Sequence, residues 1–327
     1  MRITRLITVL GLIAVIVGLA PQLVAQTPVA SGEPMVVTSV EGDELGTIAI
    51  EAVEDPFEGY MEGYEPEDGA RFVMLTVAFE ATNTATFDAY SYGFVLRDAD
   101  GVHWSSTTIY REEASPPDLQ SQTLSPGNRI SGVVGFQVPE GSEITDVYYQ
   151  PESTRLIHVL ALVERAGPAL GDEVAYTSFQ TEGAEGIASV DDLEDPFEDL
   201  AEGYEPAEDS RYVVLTVSFE STGTGVLDAD PHDLLLRDTD GYLWSFTNVP
   251  RAEGALPELQ SQMMSPGNRI SGVVGFQVPE DAELAQLYWQ PESGHLVELV
   301  AFGAESDGNN AGLKNFPGVD DPATPAD

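Results

Sequence analysis

The chain has 327 residues, 56 acidic against 13 basic, a formal net charge of −43 and no cysteine. A chain this negative repels phosphate backbones and anionic bilayers, which excludes nucleic acid as a partner and favours cations and basic proteins. The missing thiols exclude disulfides, thiol catalysis, cysteine metal sites and a lipid-modified cysteine anchor, so each domain must be held by its own apolar core.

Arg2 and Arg5 precede an apolar run from Leu6 to Ala20, which Pro21 and Gln22 break before Leu23-Val24-Ala25. Residues 1–25 therefore have the layout of a secretory signal peptide, cleaved before Gln26. The run falls short of the roughly 20 apolar residues of a spanning helix. A retained anchor is the lesser alternative, and no stable membrane span is expected after removal. The expected place is extracytoplasmic, secreted or associated with the cell envelope. Residues 26–34 read as a polar leader.

Beyond the leader the chain contains nearly the same stretch twice, offset by 140 positions, and SPGNRISGVVGFQVPE at 125–140 returns letter for letter at 265–280. A period this long is a duplicated domain, since solenoid repeats run roughly 20–50 residues. The first strand is expected over Thr47–Val53. The next follows Arg71, where Val73, Leu75, Val77 and Phe79 share a face at period two, as do Val213, Leu215, Val217 and Phe219. Phe94–Asp98 and Val102–Thr107 flank the tight turn Asp100-Gly101. Pro126-Gly127 has the order of a type II turn and feeds a long alternating strand that ends at Pro139. Val147–Gln150 and Leu156–Val163 complete about seven short strands per repeat, with no convincing long helix. The expectation is all-β, with two tandem antiparallel β-sandwiches over 35–163 and 175–303, a linker over 164–174 and a disordered acidic tail over 304–327. Eight of the ten arginines after the signal fall into four duplicated pairs, 71/211, 97/237, 111/251 and 129/269. Positive charge this scarce, kept at equivalent places, points to structural ion pairing.

Four motifs in order carry a family resemblance. They are RFVMLTVAFEATNT and RYVVLTVSFESTGT, then LRDADG and LRDTDG, then LSPGNRISGVVGFQVPE and MSPGNRISGVVGFQVPE, and last YYQPES and YWQPES. Each repeat resembles the bacterial extracellular domain-of-unknown-function family 4352, an immunoglobulin-like sandwich related to telokin-like secreted antigens. The resemblance spans roughly Met35–Val163 and Ala175–Phe302. It implies an immunoglobulin-like fold and an extracytoplasmic place, and it carries no catalytic residues.

Acidic loops are the strongest chemical lead. Glu54 and Asp55 with Asp98 and Asp100, and Glu194 and Asp195 with Asp238 and Asp240, supply oxygens that could hold Ca²⁺, which takes six to eight of them. A solvated, repelling surface is the commoner meaning of such charge. No other cofactor is implied. Phe57 and Tyr64, matched by Phe197 and Tyr204, could grip a protein or a glycan, or staple their loops to the domain. Tyr148-Tyr149 and Tyr288-Trp289 are strand neighbours, so one of each is expected to face outward, whereas Trp104 and Trp244 are expected in the core. The histidines, His103, His158, His232 and His295, are not repeated between the copies and read as lone surface residues. No nucleophile elbow, P-loop or dinucleotide fingerprint occurs. The reading is a secreted, non-enzymatic binding module of the cell envelope. A Ca²⁺-rigidified spacer or adhesion-type protein is the alternative, and an unrecognised hydrolase the third.

Overall fold

The computed structural model describes residues 34–39, 43–82, 86–113, 115–163, 165–252 and 257–303. The signal segment, the leader before Pro34 and the acidic tail lie outside these residues. The described chain is all-β and built from antiparallel sheets, as the alternating patterns require. In the first repeat the strands are β1 (Met35–Thr38), β2 (Glu44–Glu54), β3 (Ala70–Glu80), β4 (Phe87–Ala89), β5 (Phe94–Asp98), β6 (His103–Thr107), β7 (Gln122–Leu124), β8 (Arg129–Pro139), β9 (Ile144–Glu152) and β10 (Arg155–Ala161). The second repeat follows the same order with β11 (Val174–Thr177), β12 (Glu185–Glu194), β13 (Ser210–Ser221), β14 (Leu227–Ala229), β15 (Leu234–Asp238), β16 (Leu243–Ser245), β17 (Gln262–Met264), β18 (Arg269–Pro279), β19 (Leu284–Glu292) and β20 (His295–Ala301). Besides the seven strands expected per repeat, each copy has short edge strands that are too brief to show a period.

In the second repeat, β11-β12-β13-β18 and β16-β15-β19-β20 form separate four-stranded sheets. In the first, the corresponding halves are one eight-stranded sheet, β1-β2-β3-β8-β6-β5-β9-β10. The joint is local: β6 runs on to pair Ser106 with Phe136 and Thr107 with Gly135, whereas the second copy keeps only a bridge between Thr247 and Gly275. Each repeat closes its two halves over its own apolar core. Val73, Leu75, Val77, Phe79, Phe94, Phe136 and Tyr149 centre the first, and Val213, Leu215, Val217, Phe219, Phe276 and Trp289 the second. Trp104 and Trp244 pack at the edges of these cores, each donating Nε1–H to the carboxylate of Asp98 or Asp238. The turns are as the residues predict. Gly127 has φ +78°, and Asn128 N–H donates to Ser125 O across it.

Arginines of all four pairs bind acids or backbone. Arg71 holds both oxygens of Asp55 and three carbonyls between Pro139 and Ser142; Arg211 repeats this with Asp195 at 2.6 and 3.0 Å. Arg129 pairs with Glu51 and Glu80, Arg269 with Glu220, and Arg111 with Asp118.

The repeats pack on each other through one face, and the contact is two-fold symmetric within a single chain. Leu156 N–H donates to Gly241 O at 2.6 Å, and its equivalent Leu296 donates to Gly101 O at 3.0 Å. His103 N–H reaches Gly294 O at 2.7 Å, and its equivalent Leu243 reaches Thr154 O at 2.8 Å. The guanidinium Nε of Arg97 lies 3.4 Å from Leu296 O, and that of Arg237 lies 2.7 Å from Leu156 O. At the centre the hydroxyls of Tyr148 and Tyr288 meet at 3.2 Å, over a cluster that includes Leu156 and Leu296. A residue that meets its own equivalent marks the axis of an isologous interface. The hairpin glycines are required here. Gly101 has φ +87°, and a Cβ on it would stand 2.8 Å from Leu296 O; Gly241 has φ +88°, with 2.7 Å to Leu156 O.

This corrects the expectation that one aromatic of each strand pair is exposed. Tyr148 is 3% exposed, and Tyr149, Tyr288 and Trp289 are fully buried. Tyr149 and Trp289 point into their own cores. Tyr148 and Tyr288 do face outward from theirs, but the other repeat covers them. The residues expected as a linker are also packed: Leu170 lies against the second core, Ala301 N–H donates to Pro168 O, and Val174 opens β11.

Truncating a fully buried aromatic to alanine costs about 3–5 kcal/mol. Tyr288→Ala is therefore expected to lose about 3 kcal/mol in urea unfolding, while Tyr92→Ala, 78% exposed, stays within about 0.5 kcal/mol of the parent. An unchanged midpoint for Tyr288→Ala would show that the repeats do not pack through this face.

Candidate functional site

Two places carry chemistry, an aromatic cluster on the first acidic loop and a cleft beside the inter-repeat junction. The loop after β2 is fastened from below. Phe57 and Tyr60 pack against Phe72, Met74, Ile109 and Val133, with the Tyr60 ring edge-on to Phe72 at 5.6 Å. In the second repeat Phe197, 7% exposed, is fixed in the same way with Val214, Val249 and Val273. These aromatics are the staples. The outer strand faces of β3 and β13 carry apolar residues for this reason, beyond the period-two core face.

Tyr64 and Tyr204 lie on top, 48% and 55% exposed. Among the described residues only the first has an aromatic partner, the exposed Tyr110, with ring centroids 4.4 Å apart and planes tilted 41°. The two loops are tied by Met61 N–H to Tyr110 O at 2.8 Å and Glu112 N–H to Gly59 O at 3.0 Å. Exposed Met61 adjoins the pair in sequence and Pro250 stands at the place of Tyr110 in the second copy, so the patch belongs to the first repeat alone. In the same two segments Glu58, Glu62, Glu65, Glu67, Glu112 and Glu113 are exposed. Hydrogen bonds from the Gly63 amide and its own amide hold the Glu65 carboxyl below its ordinary range.

The carboxylates read as possible Ca²⁺ ligands are placed as follows. Both oxygens of Asp55 and of Asp195 are taken by Arg71 and Arg211. Asp98 organises its hairpin by accepting from the amides of Asp100 and Val102 and from Trp104 Nε1; Asp238 does the same with Tyr242 and Trp244. Glu54, Glu194, Asp100 and Asp240 are exposed. Among the described residues, no group of three or more His, Asp or Glu side chains converges as a metal set.

The junction gathers what the sequence left scattered. Arg97 Nη1 stands 3.5 Å from Asp146 and 3.7 Å from Glu298, and Arg165 spans the same two acids at 3.5 and 3.6 Å. Burial would raise the Asp146 carboxyl, but hydrogen bonds from His158 and Thr145 and the charges of His158 and Arg97 hold it low. Burial keeps Glu298 above its ordinary value against the pull of Arg97. Three of the four histidines are here, which corrects their reading as lone surface residues. His158 bonds Asp146 at 2.9 Å, His295 reaches Asp100 O in the other repeat at 2.8 Å, and His103 lies 6.1 Å from the Tyr148 ring. Only His232 is exposed. No sequence period links positions 103, 158 and 295: His103 and His158 meet over Tyr148 within the first repeat, and His295 joins them from the second.

Beside this network opens a cleft of about 1010 Å³, lined by Asp100 and Val102 of the first repeat, Arg165 and Glu173 of the connection, and Phe179 and His295 of the second repeat, among others.

His103 Nε2 has no hydrogen-bond partner among the described residues. Burial, then the charges of Arg97 and His295, push its value down from 6.5 to about 3. As pH falls the unfolded chain takes up this proton first, so the stability His103 contributes is present above about pH 6.5 and lost towards pH 3. His103→Leu, the residue its equivalent carries, is expected to lose less stability than the parent between pH 7 and pH 4. Equal losses in urea unfolding at the two pH values would refute the assignment.

Residues 46–154 match the family model described as a domain of unknown function, DUF4352. No curated protein matches the chain. Among solved structures, the chain is similar to the YcdA protein of Bacillus subtilis subsp. subtilis str. 168, a lipoprotein candidate, at 21% identity and a TM-score of 0.29, over 35% of this chain and 35% of that one. It is also similar to the YjhA protein of Bacillus subtilis, at 21% identity and a TM-score of 0.28, over 37% of this chain and 78% of that one. The chain thus spans about a third of the length of YcdA. Over residues 46–154 the chain matches the DUF4352 family model, the family its four motifs resemble.

Proposed function

We propose that this protein is a secreted, non-enzymatic interaction module of the cell envelope, and that its partner is a basic polypeptide segment held at the Tyr64–Tyr110 patch. The observation that carries the reading is the exposed, closely packed tyrosine pair at the edge of a loop fastened from beneath, in segments whose glutamates are exposed. Tyrosine faces attract lysine and arginine side chains, by about 0.5–1 kcal/mol at exposed sites, and surrounding carboxylates add to the attraction and steer the encounter. A net charge of −43 favours a cationic partner at longer range. Among the described residues no helix is long and apolar enough to cross a membrane. Export rests on the layout of residues 1–25, and N-terminal sequencing of the exported protein should begin at Gln26.

The test is calorimetry with a lysine-rich decapeptide in 150 mM NaCl. Saturable binding is expected, weakened by added salt. The double variant Tyr64→Ala/Tyr110→Ala should bind at least tenfold more weakly and unfold at the parent's midpoint, since both rings are exposed. A double variant that binds like the parent would reduce the interaction to diffuse charge and sink the reading.

A further inference from the structure

Where β6 joins the long strand β8, the first repeat has a pocket at a place that the second repeat fills with a side chain. Phe246, half-buried just after β16, packs against the second core, which includes Leu259 and Val274, and its ring lies 5.1 Å from that of His232. The equivalents 140 positions earlier are Ser106, Leu119, Val134 and Tyr92. All four of these line one pocket of about 140 Å³. Serine in place of phenylalanine removes the ring that plugs the second copy. Tyr92 is larger than His232 but does not close the gap, because it stands 78% exposed. His232 is held by Asp230 at 2.8 Å, whereas Tyr92 has no side-chain partner among the described residues.

The lining is of two kinds. Its buried residues, Met74, Ile109, Leu119 and Val133, are apolar. Those open to solvent carry hydroxyls and an amide: Ser106, Thr107 and Thr108 on one side and Gln120 on the other. Among the described residues the hydroxyls of Ser106, Thr107 and Thr108 make no hydrogen bond, and Gln120 spends only its NH₂, on Asp118 O at 3.2 Å. Asp118 is the one acid among the described lining residues, and Arg111 pairs with it at 2.7 Å. The site is therefore close to neutral in a chain that is otherwise strongly negative.

An open aromatic face, an apolar floor and unpaired hydroxyls match a ligand that is apolar on its faces and hydroxylated at its edge. We propose that this pocket binds one ring of a neutral saccharide. The C–H face of the sugar packs on the electron-rich face of Tyr92. Its hydroxyls exchange hydrogen bonds with Ser106, Thr107, Thr108 and the free amide oxygen of Gln120, since each hydroxyl donates one bond and accepts two. A phenyl ring like that of Phe246 would match the floor and leave these groups unused. Pockets that enclose a whole drug-sized ligand run roughly 300–1,000 Å³, so this one takes a single ring and leaves the rest of a glycan outside. It shares no residue with the Tyr64–Tyr110 patch, and neither proposal depends on the other.

The experiment titrates the full mature chain with the methyl glycosides of glucose, galactose, mannose and N-acetylglucosamine, followed by amide NMR. At least one glycoside is expected to bind saturably with a millimolar Kd and to shift the amides of Tyr92, Ser106 and Gly135. Ser106→Phe, which restores the residue of the second copy, should abolish those shifts. Tyr92→Ala changes an exposed side chain, so it should weaken binding at least tenfold while leaving the unfolding midpoint in place. Silence of all four glycosides would overturn the proposal. So would binding by both variants equal to that of the parent. Shifts of the same amides by N-acetylphenylalaninamide, with none from any glycoside, would also overturn it and make the pocket a socket for an aromatic side chain of a protein partner.

Discussion

Two leucines and two glycines set the form of this molecule. Leu156 and Leu296 each donate a backbone hydrogen bond to the hairpin glycine of the other repeat, and each of those glycines lacks the side chain that would block the approach. The four backbone bonds across the junction contribute on the order of 1 kcal/mol each. The larger share comes from Tyr148, Tyr288, Leu156 and Leu296, whose burial contributes roughly 2 kcal/mol per side chain. A tandem chain whose copies meet this way is a homodimer made covalent. The connection from Arg165 to Leu170 ties it further, since it packs on the second repeat and pairs with acids of both.

Duplication supplied a symmetric face, and divergence made it asymmetric. Asp146 and His158 of the first copy correspond to Gln286 and Glu298 of the second. The result is two acids, one from each repeat, shared by Arg97 and Arg165, while Arg237 bonds the neutral Gln286 at 2.7 Å. Buried charges are tolerated only where they are paired, so these substitutions only make sense together. The same divergence filled one flank with Arg155 and Tyr242 and the other with His295 and Glu292. The tyrosine patch likewise belongs to one copy. At the second copy Ala201 and Pro250 stand in place of Met61 and Tyr110, so Tyr204 has no equivalent aromatic pair there.

The strands, their turns and the core faces of β3 and β13 were legible because period-two alternation and glycine or proline at fixed offsets are local signals. The arginine pairs were legible as structural because positive charge is so scarce in the chain. Exposure was not legible for Tyr148 and Tyr288, nor the clustering of His103, His158 and His295. Tyr148 and Tyr288 are covered by the other repeat, 140 residues away, and while His103 and His158 meet over Tyr148 within the first repeat, His295 joins from the second.

The sequence by itself determined the class of fold, the duplication, the hairpins and the surplus of negative charge, all of which follow from nearest-neighbour chemistry and counting. Tertiary structure alone decided which face each repeat buries against the other, which acids are held by arginine and which stay free, and how each flank of the junction is filled. Those outcomes depend on contacts between surfaces that are identical in pattern and differ at a few side chains, and the pattern of either repeat taken singly holds no record of its partner.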